Sequence, residues 1–152
     1  MKTQALLAFA LLAATSCASS TAAHGSNARG AINVPGRAAS AVYSNAVLAG
    51  DTLYLSGKLG LDPDTGQIPT GIEEEVTLIL DGLLEVLAAA DMTMNDLVSV
   101  TVFCTDPALY GQFNEIYATY FDGDFPARAF IGSGPLLRGA HFEVKGIAVR
   151  RP

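Results

Sequence analysis

Apolar side chains recur every three or four residues between positions 72 and 90, and this spacing predicts an amphipathic helix over residues 72–90. Thr70 precedes this segment and Glu73 follows three residues later, which predicts a capping box with Thr70 as the N-cap. The acidic triplet Glu73, Glu74 and Glu75 then falls in the first turn, where the helix dipole favours negative charge. We therefore interpret the triplet as part of the helix start and not as a metal site.

A second helix is predicted to begin at Asp106 and Pro107, because aspartate is a favourable N-cap and proline suits the first helical position. Its apolar face is formed by Leu109, Phe113, Ile116, Tyr117 and Tyr120. Strands are predicted where β-branched and aromatic residues are dense between turn residues, at residues 46–48, 52–56, 97–105, 127–131 and 142–149.

In the strand over residues 97–105, alternation predicts that Val98, Val100, Val102 and Cys104 share one face, with Cys104 a small buried apolar side chain. The order of elements is β-β-α-β-α-β-β, an α+β fold with a ferredoxin-like outline in which two helices lie on one face of a mixed sheet. Two helices cannot cover both faces of a sheet, so the second face is expected to pack against another subunit.

The first residues have the pattern of an export signal, since Lys2 is followed by an apolar run over residues 5–14 that is too short to span a bilayer. The small residues that lead into Cys17 resemble a bacterial lipoprotein box, whose cysteine is lipidated and becomes the mature N-terminus. We predict a signal peptide at residues 1–16, lipidation of Cys17, a flexible tether over residues 17–33 and a folded domain over residues 34–152.

This interpretation places the protein on the periplasmic side, anchored to a membrane by lipid. The alternatives are cleavage after Ala23, which would release a soluble secreted protein, and retention in the cytoplasm. The chain has 15 Asp and Glu against 9 Lys and Arg, for a net charge of −6. That balance opposes binding of nucleic acid, and an acidic domain repelled by anionic headgroups is expected to meet the membrane only through its anchor.

No GxGxxG, P-loop, CxxC, HExxH or GxSxG pattern occurs in the sequence. His24 lies in the predicted tether and cannot form a metal site with His141. Arg128 stands at the start of a strand beside a proline, where its planar guanidinium suits a carboxylate; the alternative is a surface ion pair with Asp122 or Asp124.

Glu143 lies in the last strand, where alternation places His141, Glu143 and Lys145 on one face. The alternative to a functional role is an ordinary solvated strand face.

Several short segments occur in a characteristic order, at residues 43–47 (YSNAV), 55–57 (LSG), 62–66 (DPDTG), 100–103 (VTVF), 113–117 (FNEIY), 125–128 (FPAR) and 142–144 (FEV), which leads into 146–150 (GIAVR). Together they resemble the Rid family of reactive-intermediate deaminases, formerly called YjgF-like. The resemblance runs from about residue 34 to residue 151, nearly the whole folded part.

The resemblance implies a homotrimer with a chorismate-mutase-like barrel and sites in clefts between subunits. It also implies hydrolysis of 2-imino acids such as 2-aminoacrylate and its imine tautomer to 2-oxo acids and ammonia, with no metal or organic cofactor. Arg128 matches the family arginine that holds the substrate carboxylate, and Glu143 the glutamate that activates or orients water. Tyr43, the pair Ser56 and Gly57, and Asn114 match residues that line the pocket.

The sequence departs from the family pattern at the site. Phe130 stands where many deaminase-active members have cysteine, and it is expected to narrow the pocket. Lys58 follows Gly57 where glutamine is frequent, and its charge could steer anions. The alternative function is a non-catalytic trimeric module that binds small carboxylates or, like a chaperone, exposed hydrophobic protein surfaces. A ribonuclease activity is disfavoured by the acidic charge.

Overall fold

The computed structural model describes residues 29–35, residue 40 and residues 42–151. The strands of this part are β1 (Arg29–Ile32), β2 (Ala46–Ala49), β3 (Thr52–Leu55), β4 (Leu97–Cys104), β5 (Ala127–Gly132) and β6 (Phe142–Val149). They form one sheet in the order β1-β2-β3-β6-β4-β5, in which β4 and β5 are parallel and the other neighbours antiparallel. The helices are α1 (Ile72–Ala88) and α2 (Tyr110–Ala118). This mixed sheet with two helices confirms the predicted α+β fold.

The hydrophobic core lies between the two helices and one face of the sheet. Val100 and Val102 of β4, Val144 of β6 and Ile79 of α1 are at most 1% exposed there. Phe113 of α2 joins the same core. The inward positions of the strands alternate with outward ones, so each sheet residue can be assigned to the helix face or to the opposite face.

The opposite face of the sheet carries large apolar side chains that no described element of the chain covers. Tyr54 of β3 is 50% exposed, Ile131 of β5 42% and Val149 of β6 37%. Exposed apolar surface of this kind marks an interaction site or an aggregation hazard. These residues are therefore the exposed surface for which the number of helices predicts a covering partner.

The start of α1 differs from the prediction. Gly71, not Thr70, is the N-cap, and no side chain caps the helix. Gly71 is extended and its carbonyl accepts the Glu75 N–H at 3.0 Å, so Thr70 lies one position outside the cap and the predicted capping box is wrong. Asp106 is a cap as predicted, because its Oδ1 accepts from the Ala108 N–H at 2.9 Å, but it opens a short 3₁₀ turn, Pro107–Leu109. The helix α2 itself begins later, at Tyr110.

The predicted inward face of β4 is wrong at Val98, which is 47% exposed. The register of β4 against β6 shifts between Leu97 and Ser99. A bulge of this kind adds a residue to one strand and reverses the alternation on one side of it. Leu97 is therefore the buried residue at this end, at 5% exposure.

Cys104 is fully buried, which confirms its prediction as a small core residue. Its Sγ donates to the Asp106 carbonyl at 3.0 Å. Burial raises the pKa of the Cys104 thiol, and a neutral buried thiol is a poor nucleophile. The alternative of a reactive thiol is therefore not supported.

The predicted signal peptide, Cys17 and residues 17–28 of the predicted tether lie outside the described residues. Where the tether prediction enters the described chain, it is wrong, because Arg29–Ile32 forms β1 and pairs with β2. Two asparagines also join this segment to the domain: Asn45 Oδ1 accepts from the Val34 N–H, and Asn33 Oδ1 accepts from the Asn45 N–H, both at 3.1 Å. Among the described helices, none combines the length and apolarity that a bilayer crossing requires.

Candidate active site

Arg128 is held in a polar and aromatic setting that we call the arginine cluster, made of Arg128, Asn114, Tyr110, Tyr117 and Phe130. One terminal nitrogen of Arg128 donates to Asn114 Oδ1 at 2.6 Å. The guanidinium carbon lies 4.6 Å from the ring centre of Tyr117 and 5.7 to 5.9 Å from those of Tyr110 and Phe130. No ion pair of the described chain joins Arg128 to an aspartate, so the predicted alternative of a surface pair is not observed.

Helical spacing explains why α2 presents this set of side chains to β5. Tyr110, Asn114 and Tyr117 are four and three residues apart, and so they lie on one side of the helix. Phe113 packs beside them in the core and contacts Phe130, with ring centres 5.6 Å apart. The helix is thus fixed by its apolar residues, and the polar ones meet Arg128.

Tyr110 is a residue of this cluster that the sequence analysis missed. A hydrogen bond from Asn114, and then the positive charge of Arg128, lower the pKa of the Tyr110 hydroxyl. Tyr117 differs, since burial raises its pKa to about 12. The signal available in the sequence was the spacing of Tyr110 four residues before Asn114.

A cavity of about 430 Å³ opens beside the arginine cluster. Its lining consists of Asn114, Tyr117, Ala118, Phe125, Pro126 and Arg128. The guanidinium is therefore at the wall of an open cleft of suitable size for a small carboxylate. Phe130 lies against Tyr110, with ring centres 4.9 Å apart, and is not part of the lining. In this chain its ring lies 5.9 Å from the guanidinium carbon of Arg128, and its narrowing of the pocket stays a prediction.

Glu143 lies in a second group of predicted residues, at the start of β6 and beside the segment that follows β3. A Cβ atom on Gly57 would overlap Oε1 of Glu143, so any other residue at position 57 would displace the carboxylate from this conformation. Ser56 Oγ donates to the Ser44 carbonyl at 2.7 Å. Ser56, Gly57 and Tyr43 line a smaller cavity of about 220 Å³ that also includes Lys58. The predicted residues thus form two groups, Arg128 with Asn114 and Glu143 with Gly57. Tyr43 and Ser56 line a cavity whose wall includes Leu83 and Val86 of α1 and does not include Glu143.

The two groups lie on opposite faces of the sheet in a single chain. Arg128 pairs with Val100 of β4, a core residue on the helix face. Glu143 pairs with Phe103, three positions further along β4 and therefore on the other face. The structure does not bring Arg128 and Glu143 together into one cleft of one chain.

His141 does not share the face of Glu143, in contrast to the prediction. β6 begins at Phe142, so strand alternation does not extend to His141. Its Nδ1 lies 2.7 Å from Oε2 of Glu75, which is fully buried in the first turn of α1. Glu75 is therefore more than a dipole-compensating residue, while Glu73 and Glu74 remain exposed. Across the described ranges, no cluster of three or more ionisable side chains has the geometry of a metal site.

The chain is similar to a known protein family and to proteins of known sequence. The family model described as Endoribonuclease L-PSP matches residues 34–150. A Mus musculus protein named 2-iminobutanoate/2-iminopropanoate deaminase is 45% identical over 111 residues, which cover 72% of this chain and 82% of the mouse protein.

Two solved structures have the same fold. A putative endoribonuclease L-PSP from Entamoeba histolytica is 34% identical with a TM-score of 0.75, covering 81% of this chain and 100% of that one. A Yersinia pestis protein of the conserved Rid protein family is 35% identical with a TM-score of 0.75 and the same coverage.

Proposed function

The chain belongs to the Endoribonuclease L-PSP family, which includes the Rid proteins and has the chorismate-mutase-like fold, and on this premise we propose that it hydrolyses small 2-imino acids to 2-oxo acids and ammonia. The observation that carries the proposal is an arginine fixed by Asn114 and aromatic rings at the wall of an open cleft. The name of the mouse relative supports the same chemistry. The net charge of −6 favours this over an RNA substrate.

In this proposal Arg128 binds the carboxylate of the imino acid. Its guanidinium offers a fork of parallel N–H groups that matches a carboxylate. The hydrogen bond to Asn114 and the Tyr117 ring hold the plane of the guanidinium before the substrate arrives. Binding therefore orients the imine carbon without further ordering of the arginine.

Glu143 acts on the attacking water. Its carboxylate takes a proton as the water oxygen bonds to the imine carbon, and passes this proton to the nitrogen, which receives the electron pair of the C=N π bond. The carboxylate then takes the hydroxyl proton of the carbinolamine as the C=O bond forms, and passes it to the nitrogen as the C–N bond breaks. The products are a 2-oxo acid and ammonia, and one water is consumed. The imine carbon is already electrophilic, so positioning and one acid–base group supply what the reaction needs.

Because the two groups lie on opposite faces of the sheet, we propose that the complete site forms between subunits of a homotrimer. Arg128 of one copy would face Glu143 of its neighbour. The exposed apolar face with Tyr54, Ile131 and Val149 supplies the surface that such an assembly buries. A monomer at micromolar concentration by light scattering would contradict both the trimer and the shared site.

Complementation tests the shared site directly. Arg128→Ala and Glu143→Gln are each expected to be inactive alone. In trimers reassembled from an equal mixture, a site is intact when one subunit supplies Arg128 and its neighbour supplies Glu143, each with a chance of about one half. The mixture should therefore recover about a quarter of wild-type activity. The measurement is the deaminase rate before and after mixing through denaturant. If the mixture is no more active than the separate variants, the site does not form between copies.

A coupled assay tests the activity. An amino-acid oxidase generates 2-imino acids in the presence of semicarbazide, which traps the imine. The protein expressed without residues 1–17 is expected to slow formation of the trapped product and to speed release of ammonia. Heat-denatured protein is the control, and equal rates with native and denatured protein would refute the deaminase function.

The second candidate, a non-catalytic module that binds small carboxylates, is favoured by one observation. The arginine cluster and its cleft are complete within one chain and do not include Glu143. Binding of a 2-oxo acid without any effect in the coupled assay would support this candidate.

The location of the protein is a separate proposal, that Cys17 is lipidated and anchors the domain outside the cytoplasm. Cys17→Ser is expected to move the protein from the membrane to the soluble fraction and to leave the melting temperature of the folded domain unchanged. Fractionation followed by immunoblotting measures this, with Cys104→Ser as the control that keeps the anchor. Continued membrane association of the Cys17→Ser protein would contradict the proposal.

A further inference from the structure

Glu75 is an unusual residue in this fold, because its carboxylate is fully buried at the start of α1. Its neighbours Glu73 and Glu74 are exposed, as the first turn of an amphipathic helix would predict. A buried carboxylate is stable only when hydrogen bonds or an opposite charge replace its hydration. Gly60 packs so closely against the backbone and Cγ of Glu75 that a Cβ atom there would clash. The surrounding backbone is therefore closely packed around the Glu75 side chain.

Within the described part of the chain, the hydrogen bonds to the Glu75 carboxylate come from His141, just before β6, and from Phe142, its first residue. Oε1 accepts from the backbone N–H groups of His141 at 2.8 Å and Phe142 at 3.1 Å. Oε2 lies 2.7 Å from His141 Nδ1, and the His141 side chain is 40% exposed. The carboxylate of Glu75 in α1 therefore holds two successive backbone amides and the His141 ring, and so links α1 to the start of β6.

Glu143 follows directly after these two residues and is held on its other side as well. Lys58 and Val144 exchange two backbone hydrogen bonds, at 2.8 and 3.0 Å. Between these two anchors the Glu143 carboxylate lies against the Cα atom of Gly57. Glu143 also pairs with Phe103 of β4. Its direction therefore depends on this pairing and on both anchors, and of these three contacts only the one with Glu75 is made by a side chain.

We infer that Glu75 is a positioning residue for Glu143, and that its buried carboxylate sets the start of β6 so that Glu143 can reach the attacking water. The inference rests on the proposed deaminase function. It assigns to one member of the acidic triplet a role that helix-dipole compensation does not explain. Arg128 is held by Asn114 and Tyr117 of α2, so its binding of the substrate does not depend on the Glu75 carboxylate.

The test compares three variants at a temperature where all are folded. Glu75→Met keeps the length but removes both acceptor oxygens, and its kcat is expected to fall about tenfold or more, because small displacements of a reacting group are costly. Its KM is expected to change less than about twofold, because the arginine cluster is untouched. Glu75→Gln retains one oxygen for the two backbone N–H groups and should keep most of the wild-type kcat.

Ile79→Ala is the matched control. Ile79 is fully buried one turn further along α1, so its truncation removes apolar packing without removing any hydrogen bond between α1 and β6. This control is expected to lower the melting temperature and to leave kcat within about twofold of wild type. If kcat falls equally in Glu75→Met and Ile79→Ala at matched loss of stability, Glu75 is merely structural and the inference is overturned.

Amide hydrogen exchange on the same variants separates this inference from the deaminase proposal. Glu75→Met is expected to speed exchange at the amides of Glu143 and Val144, whereas Ile79→Ala should not do so selectively. Should wild type prove inactive in the coupled assay, this exchange pattern still decides whether Glu75 positions β6. Unchanged exchange at Glu143 in Glu75→Met would overturn the inference in either case.

Discussion

Arg128→Lys is expected to lose most of the deaminase activity although the positive charge is kept. A lysine ammonium cannot form the two parallel hydrogen bonds that a guanidinium makes to a carboxylate, and it has no planar group for Asn114 to orient. The loss of orientation is expected to cost about 2–4 kcal/mol of transition-state stabilisation, roughly 30- to 1000-fold in kcat/KM. The measurement is kcat/KM for imines of several amino acids in the coupled assay.

Arg138→Lys provides the matched control for this substitution. Arg138 is exposed and donates to the Gly66 carbonyl at 3.3 Å, away from both groups of site residues. Its replacement should leave kcat/KM unchanged. Unaltered kinetics in Arg128→Lys would rule out the carboxylate clamp and would favour a site elsewhere in the chain.

Glu143→Gln is expected to have the second large effect, and on a different kinetic constant. The amide keeps the shape that Gly57 accommodates, so the fold and substrate binding should be retained. An amide cannot exchange a proton with the attacking water, and kcat is expected to fall about 10²- to 10⁴-fold with little change in KM. The contrast with Arg128→Lys, which should also raise KM, separates proton transfer from substrate binding.

Glu115→Gln removes a carboxylate from the exposed side of α2 and serves as the control for charge. It should leave kcat within about twofold of wild type, as expected for a surface substitution. A wild-type kcat in Glu143→Gln would exclude Glu143 from proton transfer. The carboxylate-binding module would then account better for the conformation of the arginine cluster.

Local patterns in the sequence determined the elements of this fold. The helical spacing over residues 72–90 corresponds to α1, and each predicted strand segment corresponds to an observed one within a few residues. These predictions succeed because the burial of one face of an element depends on its own period of apolar residues. The motif at residues 125–128 likewise indicated Arg128 as a candidate, and the structure places this residue among aromatic rings beside a cleft.

Apart from the local capping box at Thr70, the errors of the sequence analysis share one physical cause, which is that each depends on a partner distant in the chain. The alternation of β4 fails at Val98 because a bulge arises only when β4 pairs with β6. Glu75 is buried because residues 141 and 142, more than sixty positions away, supply its hydrogen bonds. No periodicity around residue 75 contains that information.

The arrangement of the candidate site was decided by the tertiary structure. Arg128 and Glu143 are fifteen residues apart in the sequence, and their strands are both neighbours of β4. Whether they share a face depends on the pairings of Val100 and Phe103 within β4, which follow from the strand order and register of the whole sheet. The sequence by itself determined which residue types are available for the chemistry, whereas the packed sheet placed them on opposite faces, because long-range strand pairing and not local periodicity sets the side on which each residue lies.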